Sequence, residues 1–215
     1  YDEQVKLFAW KSYVNDNSID FIKKIASQIN DISSKVHKRM LVLCTSYNQI
    51  SALSNYLLPK INQDNRELFT QSIGKSRKSL LEGYIKYERS ILIGTSSFWE
   101  GIDLPGDKVE ILVLLKVPFS SPADPIVQSQ IEYYKTNNLN PFIDFQVPEA
   151  AVKLKQGFGR LIRSLEDSGI CLLTDPRITK SNYGKSILDS LPVNAETYEH
   201  SSKIVYEAKS FFGDI

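Results

Sequence analysis

Two arginines, a glutamine and two glycines lie close together in QGFGRLIRS at 156–164. Apolar residues recur every three or four positions around this stretch, which predicts a helix with one buried face: Ala151, Leu154, Phe158, Leu161 and Leu165. At about 100° per residue, Gln156, Arg160 and Arg163 fall together on the opposite face. Two guanidinium groups one turn apart suit phosphate oxygens, because each offers paired donors in one plane and keeps its charge. A solvated polar face is the plainer alternative, but the glycine beside Arg160 favours a ligand, since it permits close approach to the backbone.

A second candidate site is the loop GTSSFWEGIDLPGD at 94–107, which follows a predicted strand. In open α/β sheets the loops beyond the carboxyl ends of strands line the ligand crevice. The candidate binding groups of the loop are three hydroxyls, a glycine backbone and a carboxylate: Thr95, Ser96, Ser97, Gly101 and Asp103. The structural alternative is a flexible turn that Asp103 caps.

A third candidate, CTSYNQ at 44–49, follows the first buried strand in the same way. Thr45 and Ser46 offer hydroxyls at the end of that strand. Taken alone, they are the caps of an ordinary helix N-terminus, so this stretch depends on the other two for a functional interpretation.

Composition is typical of a globular protein, with 215 residues, 42% hydrophobic and 24% charged. The net charge is +1, so any contact with nucleic acid has to come from local clusters. Cys44 and Cys171 each lie inside an apolar run and are interpreted as reduced core residues. Two such thiols cannot build a structural zinc or iron–sulfur site, so we expect no iron–sulfur cluster in this stretch of chain.

Neither a membrane span nor a signal peptide is visible, because no apolar run approaches about 18–20 residues. We therefore expect a cytoplasmic protein without a membrane partner. The chain begins at Tyr1 with a strand-like pattern, which we interpret as a fragment of a longer chain.

Strand and helix patterns alternate along the chain and predict a doubly wound, mainly parallel α/β sheet in a single domain over 1–215. Strand patterns cover the first residues, 41–44, 91–95, 109–117 (the longest) and 169–175, with a short run at 67–71. Helix patterns cover 19–36, a segment ending at Pro59, 76–88, 124–137, the QGFGRLIRS stretch, a segment reaching Leu191, and 196–212, with a crossing marked by Pro and Asn after 137.

In chain order, the three candidate stretches resemble motifs IV, V and VI of superfamily-2 helicases. SFWEGIDLPGD followed by QGFGRLIRS is similar to the DinG branch of the XPD-like helicases, and the likeness includes VPFSSPADP and LLTDPRITKSNYGKS. The resemblance implies a RecA-like α/β fold, a mainly parallel sheet with helices on both faces, and the role of the second helicase domain. Such a domain closes against a first helicase domain of the same chain to hold ATP with Mg²⁺ and to grip single-stranded DNA.

The resemblance also assigns roles to the candidate residues. Motif VI implies that Arg160 and Arg163 reach the γ-phosphate, while Gln156 and the Gly101 backbone help to place the phosphates and Asp103 reaches the ribose. Motifs IV and V imply contacts with the nucleic-acid backbone from five hydroxyls: Thr45, Ser46, Thr95, Ser96 and Ser97.

A complete motor also needs a G-x-x-x-x-G-K-[ST] phosphate loop and an acid for magnesium. IGKS at 73–76 has Phe69 in place of the first glycine, and YGKS at 183–186 has Thr179 there. Neither is a phosphate loop, so the fragment is expected not to hydrolyse ATP alone.

Three functions remain open from the sequence. The first is half of an ATP-driven DNA helicase. The second is an ATP-sensing module that regulates a linked nuclease without unwinding, since some DinG-type proteins of Gram-positive bacteria carry a 3′–5′ exonuclease domain. The third is a single-strand-binding scaffold, against which the arginine spacing argues.

Overall fold

The structure is a computed structural model that describes residues 4–15, 18–61, 65–72, 76–95, 108–159, 161–162 and 167–213. Its strands are β1 (Val5–Trp10), β2 (Met40–Leu43), β3 (Glu67–Thr70), β4 (Ser90–Gly94), β5 (Ile111–Leu114), β6 (Gly169–Leu173) and β7 (Ala195–Tyr198). Its helices are α1 (Ile19–Lys35), α2 (Tyr47–Ile61), α3 (Arg77–Lys86), α4 (Pro125–Thr136), α5 (Val147–Phe158), α6 (Arg177–Lys180), α7 (Asn182–Asp189) and α8 (Ser201–Phe212).

These strands form one seven-stranded sheet in the order β3-β4-β2-β5-β6-β1-β7, and every neighbouring pair is parallel. All strands therefore begin at one end of the sheet and finish at the other, which we call its amino end and its carboxyl end. In the centre of the sheet, Leu43 of β2 is the register partner of both Gly94 of β4 and Leu114 of β5. Groups that follow these strands consequently lie side by side at the carboxyl end.

Both faces of the sheet are buried. Along β1, Val5 and Leu7 join the core on one face, whereas Phe8 and Trp10 join the core on the other, as the two-residue period of a strand requires. Residues of α3, α5, α6 and α7 cover the first face, and residues of α1, α2 and α8 cover the second. Burial on both faces explains why the inner strands β2, β5 and β6 are continuous apolar runs in the sequence. The predicted parallel α/β architecture is confirmed.

The longest predicted strand, over 109–117, is wrong in extent. Only Ile111–Leu114 forms β5, although Val109, Leu115 and Val117 are also buried. The Val117 N–H donates to Asp175 Oδ2 (2.8 Å) rather than to a neighbouring strand. Apolar character therefore predicted burial correctly here, but burial extends beyond the residues that pair as a strand.

Two further helix boundaries differ from prediction. α2 continues through Pro59 to Ile61, although a proline inside a helix cannot donate the i→i−4 hydrogen bond. The crossing predicted after α4 contains a π-helical turn, Phe142–Gln146, that runs directly into α5. Asn140 Oδ1 accepts from the N–H groups of Phe142 and Ile143 (3.0 and 3.2 Å), so a residue interpreted as marking a loop starts a helix instead.

Near the C-terminal end of the sequence, the segment predicted as one helix over 196–212 is a strand followed by a helix. Ala195–Tyr198 pairs with β1 as β7 before α8 begins at Ser201. The helix predicted to reach Leu191 is likewise two short helices, α6 and α7, which Ser181 separates.

The helix predicted across QGFGRLIRS ends earlier than expected. α5 stops at Phe158 with Gly159 as its C-cap, and the Leu161 N–H then donates to Phe158 O in a turn (3.0 Å). Glycines at 157 and 159 each disfavour helix by about 1 kcal/mol relative to alanine. The helix therefore does not include Leu161 and Ile162, whereas Arg160 and Arg163, which were expected to share a face with Gln156, lie outside the described residues.

Both cysteines are buried free thiols, as predicted. Burial raises the pKa of Cys44 to about 12 and also raises the pKa of Cys171. They belong to the cores on opposite faces of the sheet. None of the helices within the described ranges has the length and apolar character needed to cross a membrane.

Candidate functional site

Two of the predicted hydroxyl residues, Thr45 and Thr95, lie at the carboxyl ends of neighbouring strands. Thr45 follows β2 and Thr95 follows β4, and the Cys44 N–H donates to Gly94 O (2.8 Å) between them. Thr45 is exposed, whereas Thr95 is 8% exposed. The fold thus brings together two motifs that are fifty positions apart in the sequence.

Both threonines are held by a glutamine in the same way. The N–H and Oγ1 of Thr95 lie 2.7 and 3.0 Å from Gln71 Oε1, and those of Thr45 lie 2.9 and 3.1 Å from Gln49 Oε1. Each hydroxyl therefore donates to a neutral carbonyl oxygen and is fixed in orientation. An anionic phosphate oxygen is a stronger acceptor than an amide carbonyl, so the same donors are suited to nucleic-acid phosphates.

Gln71 was not among the predicted site residues. It follows β3, and its Nε2 donates to Tyr47 Oη (3.0 Å) at the start of α2 while its Oε1 accepts from Thr95. One side chain thus links the ends of β3 and β4 to α2. The available signal was a polar residue directly after a strand, as at Thr45 and Thr95.

Replacing Gln71 by alanine is expected to lower the free energy of unfolding by about 1–3 kcal/mol, because the largely buried Thr95 N–H loses its acceptor. Urea denaturation of the parent and the variant measures this difference. Gln128→Ala, at an exposed position of α4, is the matched control and should unfold like the parent. Equal stability of the Gln71 variant would show that this link is energetically unimportant.

Ser46 caps a helix N-terminus, as the alternative interpretation of its sequence predicted. It precedes α2, and its Oγ accepts from the Gln49 N–H (3.3 Å), which is the N3 position of that helix. Accepting this bond leaves the hydroxyl proton available to another acceptor. Ser46 is half-buried beside the exposed Thr45, so capping and ligand contact are compatible.

Gln156 lies towards the other end of the sheet. α5 starts near the carboxyl end, where its Glu149 accepts from Ser120 Oγ (2.8 Å). Beyond the end of α5, Leu161 packs so closely on Gly169, the first residue of β6, that a Cβ there would lie 2.5 Å from Leu161 Cδ1. Gln156 is exposed in the last turn of α5. The structure therefore separates this predicted nucleotide contact from the predicted nucleic-acid contacts.

Six predicted site residues lie outside the described residues: Ser96, Ser97, Gly101, Asp103, Arg160 and Arg163. Their flanking residues are described. Thr95 lies at the carboxyl end of the sheet, directly after β4. Lys108 comes shortly before β5, which starts at Ile111. Four of the six lie between these two flanks in the sequence.

The sequence analysis also did not identify a buried carboxylate just after β6. Asp175 is 1% exposed, and its Oδ1 accepts from the Arg177 N–H (3.0 Å) while its Oδ2 accepts from the Val117 N–H (2.8 Å). The Arg177 Nη2 donates to Oδ2 (2.6 Å), and its guanidinium lies 5.4 Å from the centre of the Phe119 ring. Asp175 thus fixes the segment after β5 against the end of β6.

No phosphate loop is formed by YGKS. Gly184 lies inside α7, where a Cβ would come within 2.0 Å of Ile178 O, so this glycine serves the packing of two helices. Within the described ranges, no three His, Cys, Asp or Glu side chains are grouped as a metal ion would require.

The sheet order and both helical layers are those of a RecA-like α/β domain. Solved structures with this fold include one described as XPD helicase (TM-score 0.65, 20% identity, 91% of this chain and 36% of that one) and yeast Dbp5 (TM-score 0.63, 11% identity, 98% and 46%). The family described as Helicase C-terminal domain matches residues 29–194. The chain belongs to this family of helicase C-terminal domains.

Among curated proteins, the chain is similar to the ATP-dependent DNA helicase YoaA of Haemophilus influenzae, at 34% identity over 96% of this chain and 32% of YoaA. It is also similar to the 3′-5′ exonuclease DinG of Bacillus subtilis, at 32% identity over 91% of this chain and 21% of that relative. The chain thus spans a third or less of the length of these relatives. The resemblance to DinG-type, XPD-like helicases is confirmed.

Proposed function

We propose that this chain is the second motor domain of an ATP-dependent DNA helicase. The observation that carries the proposal is that Thr45 and Thr95 follow neighbouring strands at the carboxyl end of the sheet, while Gln156 is exposed towards the amino end. A motor must couple a strand-binding surface to a nucleotide-binding surface. A single rigid sheet with one surface at each end meets this need, and both the family and the YoaA relative support it.

In this proposal, ATP binds between this domain, which corresponds to residues 1–215, and a first helicase domain of the same chain. Arg160 and Arg163 stabilise the charge on the transferred phosphoryl group, as arginine fingers do in other nucleotide hydrolases. Gln156 and the Gly101 backbone orient the phosphates, and Asp103 binds the ribose. The phosphate loop and the acids for Mg²⁺ belong to the first domain, so this chain alone does not hydrolyse ATP.

Single-stranded DNA is the proposed ligand of the carboxyl end. The hydroxyls of Thr45, Ser46 and Thr95, with Ser96 and Ser97 in the adjoining loop, donate to backbone phosphates. Such contacts position a strand without reading its sequence. Since the net charge is only +1, affinity depends on these local donors and falls with added salt.

Replacing the threonine hydroxyls by methyl groups, in Thr45→Val and Thr95→Val, is expected to lower the affinity for single-stranded DNA about tenfold each, because each variant loses a hydrogen bond to a charged group. Fluorescence anisotropy with oligonucleotides of mixed sequence measures the dissociation constant across a salt series. Thr136→Val, at an exposed position of α4, is the control. Unchanged affinity in both variants, or a preference for duplex, would contradict the proposed grip.

A second function follows from the Bacillus subtilis relative, which is named as a 3′-5′ exonuclease. Here the domain senses ATP and regulates a linked nuclease without unwinding DNA. Strand-displacement and nuclease assays on the full-length protein, with and without ATP, distinguish the helicase function from the regulatory function. ATP-dependent displacement supports the helicase, whereas ATP-dependent nuclease activity without displacement supports regulation.

A further inference from the structure

A groove of about 580 Å³ opens beyond the carboxyl ends of β1 and β7, at the same end of the sheet as Thr45 and Thr95. Its lining includes basic, acidic, amide and aromatic side chains: Lys11, Tyr13, Lys24, Gln28, Glu199 and His200. None of these residues belongs to the three motifs that define the proposed strand-binding and nucleotide-binding surfaces.

Tyr13 exposes its ring in this groove, while hydrogen bonds of neighbouring residues hold the backbone that carries it. Tyr13 is 87% exposed. Immediately before it, Ser12 is buried and its Oγ accepts from the Val14 N–H (3.2 Å). Trp10 is also buried and donates from Nε1 to Glu199 O (3.2 Å). The Tyr13 ring is therefore exposed to solvent at the groove, on a stretch of backbone that these hydrogen bonds hold in place.

One ammonium group lies close to this ring, and other basic side chains line the groove. The Lys180 ammonium lies 5.4 Å from the centre of the Tyr13 ring, and Lys24 and His200 line the groove. The acid in the lining is Glu199, which pairs with Lys11 (3.4 Å), while Asp31 accepts from Ser201 at its margin (2.9 Å). Lysines outnumber acids here, so the groove favours an anion, and the aromatic ring favours a planar group.

Single-stranded nucleic acid combines these two features, since unpaired bases stack on aromatic rings while basic residues track the phosphates. β1 is three strands from β2 in the sheet, which at about 4.8 Å per strand separates the groove from Thr45 by about 14 Å. We propose that the groove extends the single-strand path, with Tyr13 stacking on an unpaired base and Lys24 contacting a phosphate. This inference rests on the proposed function, because it continues the strand held at Thr45 and Thr95.

Tyr13→Ala is expected to weaken binding of an oligothymidylate of about 20 nucleotides by about 5- to 150-fold, the range for loss of one base–aromatic stack. Tyr13→Phe should bind like the parent, because stacking needs the ring and not the hydroxyl. Tyr206→Ala, which removes a 65% exposed tyrosine of α8, is the control. Thermal melting verifies that all variants fold.

The threonine variants separate this inference from the proposed function. If Tyr13→Ala binds like the parent while Thr45→Val and Thr95→Val lose affinity, the groove proposal is overturned and the proposed grip stands. If Tyr13→Ala weakens binding and the threonine variants do not, the groove is supported and the proposed grip fails. Equal losses in Tyr13→Ala and Tyr13→Phe would overturn the stacking role.

Discussion

Replacing Arg163 or Arg160 by alanine in the full-length protein is expected to lower the rate of ATP hydrolysis by about 10³- to 10⁵-fold. This is the range over which an arginine that meets the charge of a transferred phosphoryl group changes the rate. Release of inorganic phosphate in the presence of single-stranded DNA measures the rate. Binding of a fluorescent ATP analogue, measured in parallel, separates loss of catalysis from loss of nucleotide affinity.

Two further variants sharpen this test. Arg163→Lys keeps the positive charge but loses the planar pair of donors, so it should recover only a small part of the rate. Arg77→Ala, at an exposed position at the start of α3, should hydrolyse ATP like the parent. Parent-like rates in both Arg160→Ala and Arg163→Ala would refute the arginine-finger assignment and leave the strand-binding scaffold as the better hypothesis.

Asp175→Ala is expected to lower the free energy of unfolding by about 2–4 kcal/mol. The variant loses the acceptor of the buried Val117 N–H and the partner of the Arg177 guanidinium, and hydrogen bonds to charged groups contribute about 1.5–3 kcal/mol each. The Arg177 side chain is 35% exposed and is partly rehydrated, which limits the loss. Urea denaturation measures the free energy, and at this chain length each kcal/mol lowers Tm by about 2–4 °C.

Asp175→Asn and Asp189→Ala are the companion variants. The asparagine retains an oxygen for the Val117 N–H but not the charge that Arg177 pairs with, so its stability should fall between those of the parent and the alanine variant. Asp189 is exposed at the end of α7, and its replacement should change the stability by less than about 0.5 kcal/mol. Parent-like unfolding of Asp175→Ala would show that the network is not needed for stability.

Local patterns in the sequence predicted most of the strands and helices correctly. β2 and β6 are apolar runs because both of their faces are buried, and α1 carries its isoleucines at helical spacing because one side packs on the sheet. The family resemblance was equally local, since it depended on the residues of two short motifs, SFWEGIDLPGD and QGFGRLIRS. Fold class and family were therefore determined by short-range information.

The errors arose where a distant partner decided the structure. Pairing with β1 made a strand of Ala195–Tyr198, whose composition also fits a helix. In the strand predicted over 109–117, Val117 lies outside β5, and its N–H bonds to Asp175, 58 positions away. Propensity is a weak preference that tertiary contacts override.

The arrangement of the site was decided by tertiary structure alone. The sequence by itself identified Thr45, Thr95 and Gln156 as candidates, but their relative positions depend on which strands are neighbours. Because β4 pairs with both β2 and β3, Gln71 comes between Thr95 and Tyr47, whereas α5 carries Gln156 away towards the amino end. Strand order in a parallel sheet is set by how the crossover helices pack, which is a long-range property that no local pattern encodes.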